Sequence, residues 1–177
     1  MDLYEAYVRP DHRSAKSKHK ASQLHSVLER ERQFGDFQCQ HCHLHVSADP
    51  LRSGVNNRNH CPYCLWSKHV DLYESGDRLA ACKGAMQPVG LTFKRRQKKY
   101  ASRQPGEMML LHQCTACGAL SINRLAADDT AASLSEVYEA SSALSPGVRA
   151  LAAAEGIDLL GPAERELVQA RLPGGDS

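Results

Sequence analysis

The sequence has few aromatic residues and no long apolar run. Aromatic side chains make up 6% of the 177 residues, so a deep core through the whole chain is not expected. No stretch of 18 apolar residues is present to span a bilayer, and the first ten residues lack the apolar run of a signal peptide. A glycine-rich phosphate-binding loop and paired carboxylates for a second hydrolytic cation are also missing. These absences predict a soluble cytoplasmic protein without a membrane partner.

What the sequence does contain is seven cysteines, six of them in Cys-x-x-Cys pairs. The pairs Cys39/Cys42 and Cys61/Cys64 are separated by 18 residues, within the roughly 15–20 typical of a zinc site. A two-residue gap lets one turn direct both sulfurs to one point, and two such turns close a tetrahedron around Zn²⁺. An odd number of cysteines argues against a complete disulfide framework. We therefore predict a first structural zinc site on these four residues.

The remaining three cysteines predict a second, less complete site. Cys82, Cys114 and Cys117 supply three sulfurs where a closed zinc site needs four donors. His69 is the predicted fourth ligand, because with Cys82 it forms a half-site that can face the other pair. His112 is the alternative, since it precedes Cys114 by two residues on one strand face. A different donor, or no second metal, stays open. The prediction is two zinc ions per chain.

The chain divides into three segments by composition. Residues 1–34 form a basic arm, with one short helix predicted from about 14 to 32. Residues 35–124 are expected to form a small β-rich, zinc-ribbon-like domain with two Cys-x-x-Cys clusters. Residues 125–177 are alanine-rich and acidic, and predict α-helices followed by a disordered tail. The predicted fold class is thus a small β-rich zinc-binding domain with helical extensions on both sides.

Within these segments, turn residues and apolar spacing predict individual elements. Strands are predicted at 37–39, with the return starting at Val46, and at 79–82, 89–93 and 107–111. Helices are predicted to begin at Asp129 or Thr130, at Ser145-Pro146 and at Pro162, because such residues cap or open helices. The helices are short, and they either pack on the zinc domain or fray until a partner arrives.

Charge is distributed unevenly along the chain. Residues 1–124 carry 19 Lys and Arg against 11 Asp and Glu, a net +8, and residues 125–177 carry 3 against 9, a net −6. The basic loop 91–105 contains the predicted nucleic-acid contacts, namely Lys94, Arg95, Arg96, Lys98, Lys99, Tyr100 and Arg103. Cations interleaved with an aromatic ring suit phosphate contact and base stacking, although a solvated hairpin tip has the same composition.

A longer motif gives a specific resemblance. A five-residue string, Arg58-Asn59-His60-Cys61-Pro62, is followed by Cys64, Trp66, Lys68, His69 and Asp71. This run resembles the RNHCP-domain family. The similarity continues through Gly76-Asp77-Arg78, Cys82-Lys83-Gly84, Met86, Pro88 and Gly90, and then through His112, Cys114, Cys117-Gly118, Asn123-Arg124 and Asp128-Asp129. It departs from the family pattern at 91–105. The resemblance implies a zinc-ribbon fold and a metal, and it implies no activity.

The polar residues Arg58, Asn59 and His60 are predicted to be structural. They directly precede the second Cys-x-x-Cys turn, where Arg58 is expected to pair with Asp71 or Asp77. His60 adjoins a ligand and is expected to point away from the metal. The rival interpretation makes these three residues an RNA-contact surface.

Three functions follow from these features. The first is a non-catalytic, zinc-stabilised binding module for RNA or a ribonucleoprotein such as the ribosome. The second is a protein–protein adaptor that acts through the acidic segment 125–177. The third is an HNH-like nuclease, because His41, His43 and His45 would share one face of a strand and are followed by Asn56-Asn57. A four-cysteine zinc site has no open coordination position, which argues against hydrolysis.

Overall fold

Short antiparallel strands build the β-rich part of the protein. The structure, a computed structural model, describes residues 35–94 and 106–172. The first sheet pairs β1 (Phe37–Gln38) with β2 (His45–Val46). The second sheet has the order β3 (Ser67–Lys68), β4 (Ala85–Phe93), β5 (Met108–Cys114) and β6 (Leu120–Arg124). The predicted strand that enters the first Cys-x-x-Cys turn and its return at Val46 are confirmed.

The central strands of the larger sheet are buried on both faces. Leu110 and Leu111 are fully buried and, as neighbours in a strand, point to opposite sides. On β4 the register shifts between Pro88 and Gly90, which is a β-bulge. Gly90 lies close to the chain that covers this face, because a Cβ there would be 2.7 Å from Leu159 Cδ2. The sheet is therefore packed on both sides.

Helices follow the sheet in the chain. They are α2 (Ala131–Ala140), α3 (Pro146–Ala154) and α4 (Arg165–Gln169), with 3₁₀ turns at Ser141–Ala143 and Pro162–Glu164, while α1 (Pro50–Ser53) lies earlier. The Ser145 hydroxyl accepts a hydrogen bond from the Val148 N–H, and Gly156 ends α3 in the left-handed conformation. The predicted helix starts at Thr130, Ser145-Pro146 and Pro162 are confirmed.

These helices share the sheet's hydrophobic core. One core cluster joins the sheet side to the helical side through Leu65, Leu91, Met108, Leu110, Leu134, Tyr138, Leu160 and Val168. Another group of buried apolar residues, on the other face of β5, contains Val89, Leu111 and Ala152. The chain at 158–160 is also tied to β4, since the Thr92 hydroxyl donates to the Asp158 carbonyl at 2.7 Å. The fold class is confirmed, with helices that follow the sheet in sequence and pack on it.

One predicted strand is absent from the structure. Residues 79–82 form an irregular segment, because Asp77 organises this part of the chain as a loop. Its carboxylate accepts hydrogen bonds from the backbone N–H groups of Leu72, Tyr73, Glu74 and Leu79 at 2.8–3.0 Å. These bonds keep the pKa of Asp77 well below its usual range.

Some predictions fall outside the described residues. These are the basic arm with its helix at 14–32, the cationic loop from Arg95 onward, and the tail 173–177. No helix within 35–94 or 106–172 is long and apolar enough to cross a membrane.

Candidate metal centres

Three Cys-x-x-Cys turns in the structure have the same backbone geometry. The N–H of the first cysteine donates to the carbonyl five residues ahead: Cys39 to Leu44, Cys61 to Trp66 and Cys114 to Ala119, at 2.8–2.9 Å. The residue after the second cysteine donates back to the first: His43 to Cys39, Leu65 to Cys61 and Gly118 to Cys114, at 2.9–3.0 Å. These three residues have φ of 60°, 59° and 77°. Each turn is therefore a compact loop that directs two sulfurs the same way.

The first cluster lies where two of these turns face each other. Sγ of Cys39 is 3.6 Å from Sγ of Cys64, and Sγ of Cys42 is 3.6 Å from Sγ of Cys61. All four sulfurs lie within 4.8 Å of one another. Zinc–sulfur bonds of about 2.3 Å in a tetrahedron require sulfurs about 3.8 Å apart, so these positions fit a single ion.

Burial affects how this cluster takes up a metal. Cys61 is fully buried, and burial raises the pKa of its thiol to about 11. A metal binds the thiolate, so occupation of the cluster releases protons and becomes weaker as the pH falls. The N–H of His41 also points at Sγ of Cys39, 3.4 Å away, and such donors stabilise a bound thiolate.

The second cluster joins the third turn to two residues from the loops around β3 and β4. Sγ of Cys82 is 3.7 Å from Sγ of Cys114, and Sγ of Cys117 is 3.3 Å from Nδ1 of His69. The four donor atoms again lie within 4.8 Å of one another. His69 is held in place by its backbone N–H, which donates to the Gly84 carbonyl at 2.9 Å. The structure thus brings the predicted histidine to the three sulfurs.

Gly84 makes room for this cluster. A Cβ at that position would lie 3.0 Å from Sγ of Cys114 and 3.2 Å from Sγ of Cys82, and 2.9 Å from Cβ of Ala116. The close approach explains why a glycine follows Cys82-Lys83. Cys82 and Cys117 are exposed, so the second cluster is more open to solvent than the first.

The alternative ligand, His112, has a different role. It is fully buried, its Nε2 donates to the Leu65 carbonyl at 2.7 Å, and its Nδ1 accepts from Nδ2 of Asn123 at 2.9 Å. Burial lowers the pKa of His112 to about 3, with a further contribution from His60. Since both ring nitrogens of His112 are engaged in the core, neither is available to the second cluster.

Both clusters can hold a metal ion. Three or four thiolates with at most one imidazole are the donors typical of structural zinc, and four protein donors fill a tetrahedral ion. Within residues 35–94 and 106–172, no further group of three or more His, Cys, Asp or Glu converges in this way. Cys114 is suited to metal binding: burial raises its pKa, but the N–H groups of Cys117 and Ala116 and its neighbouring sulfurs outweigh that effect and lower it to about 6.

The polar motif before the second turn forms a buried ion-pair network. The Arg58 side chain is fully buried, and its Nη1 lies 2.8 Å from Oδ2 of Asp128 and its Nη2 3.4 Å from Oδ1 of Asp129. His60 Nε2 is 2.9 Å from both oxygens of the Asp129 carboxylate. Arg58 Nε also donates to the His60 carbonyl at 3.1 Å. The network therefore joins the second Cys-x-x-Cys turn to the start of α2.

The prediction that Arg58 pairs with Asp71 or Asp77 is wrong. Asp71 instead accepts a hydrogen bond from Nδ2 of Asn59 at 2.7 Å, and Asp77 organises its own loop. The partners of Arg58 are Asp128 and Asp129, about 70 positions later in the same motif. His60 points away from the metal cluster, as expected.

The histidines that suggested a nuclease do not share one strand face. His41 lies in the first turn and stacks on Trp66 with ring centroids 4.3 Å apart, His43 has a left-handed backbone, and only His45 belongs to β2. The chain turns at the cysteines, so the alternation of a strand does not apply there.

Of the predicted nucleic-acid contacts, the structure describes Lys94, which is exposed, and the others lie outside the described residues.

Substitution of His69 and of His112 tests which histidine is the fourth ligand of the second cluster. We expect His69→Ala to lower the metal content from two ions per chain to about one, because the second cluster then has three donors. His112→Ala should keep both ions and lower the melting temperature, since it leaves the Leu65 carbonyl without its buried donor, at a cost of about 1–3 kcal/mol. Elemental analysis with thermal melts measures both effects. Loss of an ion in His112→Ala but not in His69→Ala would reverse the assignment.

Comparison with known proteins supports the motif found in the sequence. The model of the RNHCP domain matches residues 34–135, which is more than half of the chain. Neither the curated proteins nor the solved structures contain a match. The matched region begins just before β1 and ends within α2, so it includes both candidate metal clusters and the Arg58–Asp129 network. The chain belongs to the RNHCP-domain family.

Proposed function

We propose that this chain is a zinc-stabilised, non-catalytic binding protein for RNA or a ribonucleoprotein. The observation that carries the proposal is the pair of four-donor clusters within residues 1–124, a segment whose formal charge is +8. Each cluster has enough protein donors to fill a tetrahedral zinc ion, which suits a structural ion and leaves no position for substrate. The expected compartment is the cytoplasm, where reducing conditions favour metal binding by clustered cysteines.

Charge supports an anionic partner. Residues 1–124 carry a formal +8. Zinc on four thiolates has a net charge of −2, and zinc on three thiolates and a neutral imidazole −1, so about +5 remains on this segment with both ions bound. Phosphates are the anions that such an excess attracts over long range. A structured RNA, including that of the ribosome, offers them in high density.

The other two functions have less support. The acidic segment 125–177 was the basis of an adaptor function, but its apolar side chains Leu134, Tyr138 and Val168 are buried against the sheet. Its Glu139 is paired with Arg165 of the same segment. A nuclease would need a metal with an open coordination position, and both clusters in the described part of the chain have four candidate donors.

The salt dependence of RNA binding tests the proposal. We expect the full-length protein to bind a structured RNA with an affinity that falls by about 0.7–0.9 log units per tenfold rise in salt for each phosphate contacted. Neutralisation of Arg95, Arg96, Lys98 and Lys99 by glutamine should leave melting unchanged and flatten this slope by about 3. Fluorescence anisotropy at several salt concentrations gives both quantities. Absence of binding at low salt by metal-loaded protein would refute the RNA function.

A further inference from the structure

A cleft lies between the first metal cluster and the edge of the larger sheet. Its volume is about 380 Å³, within the roughly 300–1,000 Å³ of sites that bind small ligands. The walls come from β1 and the first Cys-x-x-Cys turn on one side, and from β3, Val70 and Arg78 on the other. A space of this size accommodates one nucleotide and excludes a duplex.

The charged side chains that line the cleft are basic. Lys68 and Arg78 line the cleft and are exposed, and no residue among the described ones that line it is acidic. Arg58 also borders it, but its charge is met by Asp128 and Asp129. Arg78 shares its charge with Asp71, 3.9 Å from its Nε, so the net positive charge at the cleft comes from Lys68 and suits a phosphate.

Neighbouring side chains orient Arg78 before any ligand binds. Its Nη1 donates to Oδ1 of Asn59, and its Nε lies 3.9 Å from Oδ1 of Asp71. Asn59 is itself fixed, because its Nδ2 donates to Asp71 at 2.7 Å. Half of the Arg78 side chain is still exposed. An arginine oriented before binding loses less conformational entropy when it contacts a phosphate.

An aromatic surface completes the cleft. His41 and Trp66 both line it and are stacked with an angle of 5° between their rings. His41 is exposed, so a planar base can extend this stack. Gln40, also exposed along the wall, offers an amide group that can hydrogen-bond the edge of a base. Gln38 offers its amide oxygen, because its Nε2 donates to the His43 carbonyl at 3.0 Å.

We propose that this cleft binds one unpaired nucleotide of a single-stranded RNA, with the base on the His41–Trp66 stack and the phosphate on Lys68 and Arg78. The assignment rests on the RNA-binding function proposed above. It adds to that function a defined subsite away from the cationic loop. Single-stranded recognition by stacking tolerates many sequences, because every base has a flat face.

Trp66 reports on this subsite directly, because it is the only tryptophan in the chain. We expect a six-nucleotide uridine RNA to change Trp66 fluorescence in a saturable way in the full-length, metal-loaded protein. His41→Ala should weaken this binding by about 5- to 150-fold, which corresponds to the loss of one stacking partner. Lys68→Gln should weaken it and flatten the salt slope by about 0.7. Metal content and melting temperature of each variant show that it is folded.

Arg52→Gln is the matched control, since Arg52 is an exposed cation of α1 that does not line the cleft. It removes the same charge as Lys68→Gln and should change neither the affinity nor the fluorescence response. Equal losses in Lys68→Gln and Arg52→Gln would mean that only overall charge matters, and would overturn the subsite.

The outcomes also separate the subsite from the RNA function. If anisotropy shows that RNA binds while Trp66 fluorescence stays constant, the cleft assignment is wrong and the proposed function stands. If uridine monophosphate alters Trp66 fluorescence but no RNA binds, the cleft is a nucleotide site and the RNA function is wrong. A response to a glutamate hexapeptide and to no nucleotide would assign the cleft to acidic peptides and refute the proposal. An equal response of Trp66 to DNA of the same length would extend the subsite to both nucleic acids.

Discussion

Replacement of Cys61 by serine is expected to unfold the β1–β2 part of the protein and to remove one metal ion. Cys61 is fully buried, and its Sγ lies 3.6 Å from Sγ of Cys42 in the first cluster. Serine has nearly the same size but does not supply a thiolate. Binding of a structural zinc ion provides on the order of 10 kcal/mol, which is as large as the whole stability of an ordinary domain. Elemental analysis and a thermal melt followed by circular dichroism measure the two effects.

Cys82→Ser is the matched control for this prediction. Cys82 is exposed at the second cluster, which adjoins a sheet whose leucines pack against one another and against the helices. We expect this variant to lose the second ion and to retain a cooperative melting transition at a lower temperature. A Cys61→Ser protein that keeps two ions and the parent melting temperature would show that the first cluster is not a metal site.

The Cys-x-x-Cys spacing was informative because it is a local property of the chain. Two residues between cysteines fix a turn in which both sulfurs point the same way, whatever surrounds it. The separation of 18 residues then leaves just enough chain for β2 and α1 before the second turn closes the first cluster. The β-rich fold class and the starts of the later helices follow from equally local signals, namely alternation and caps.

Contacts between distant residues were harder to predict. Arg58 pairs with carboxylates 70 and 71 positions away, and nothing near it in sequence distinguishes these from the closer Asp71 and Asp77. The apolar residues at 79–82 favour a strand, whereas the hydrogen bonds that make this part of the chain a loop come from the Asp77 side chain. The choice between His69 and His112 likewise depends on how β3 and β5 are placed, which spacing alone does not determine.

The Arg58–Asp129 network connects the second Cys-x-x-Cys turn with the helices that follow the larger sheet. The backbone N–H of Ala126 donates to Oδ2 of Asp129 at 2.7 Å, and that of Thr130 to the Pro62 carbonyl at 3.2 Å. The start of α2 is thereby fixed against the second Cys-x-x-Cys turn. Since α2 also carries Leu134 and Tyr138 into the core, the network sets how the helices meet the Cys-x-x-Cys turns.

Substitution of Arg58 by alanine is therefore expected to destabilise the protein strongly. The change removes the cation and leaves Asp129, whose side chain is fully buried, with His60 as its remaining side-chain partner. Breaking a buried ion pair in this way costs about 3–5 kcal/mol, which lowers the melting temperature of a chain of this size by about 6–20 °C. Differential scanning calorimetry of the metal-loaded protein measures the loss.

An exposed ion pair provides the comparison that tests the role of burial. Arg124 pairs with Glu107 at 2.9 Å, but the two side chains are 57% and 41% exposed, so Arg124→Ala should cost no more than about 1 kcal/mol. The double variant Arg58→Ala/Asp129→Ala should be less unstable than the sum of its single variants, because it leaves no buried charge unpaired. If Arg58→Ala melts like the parent and binds RNA far more weakly, Arg58 contacts RNA, and the structural role of the motif is refuted.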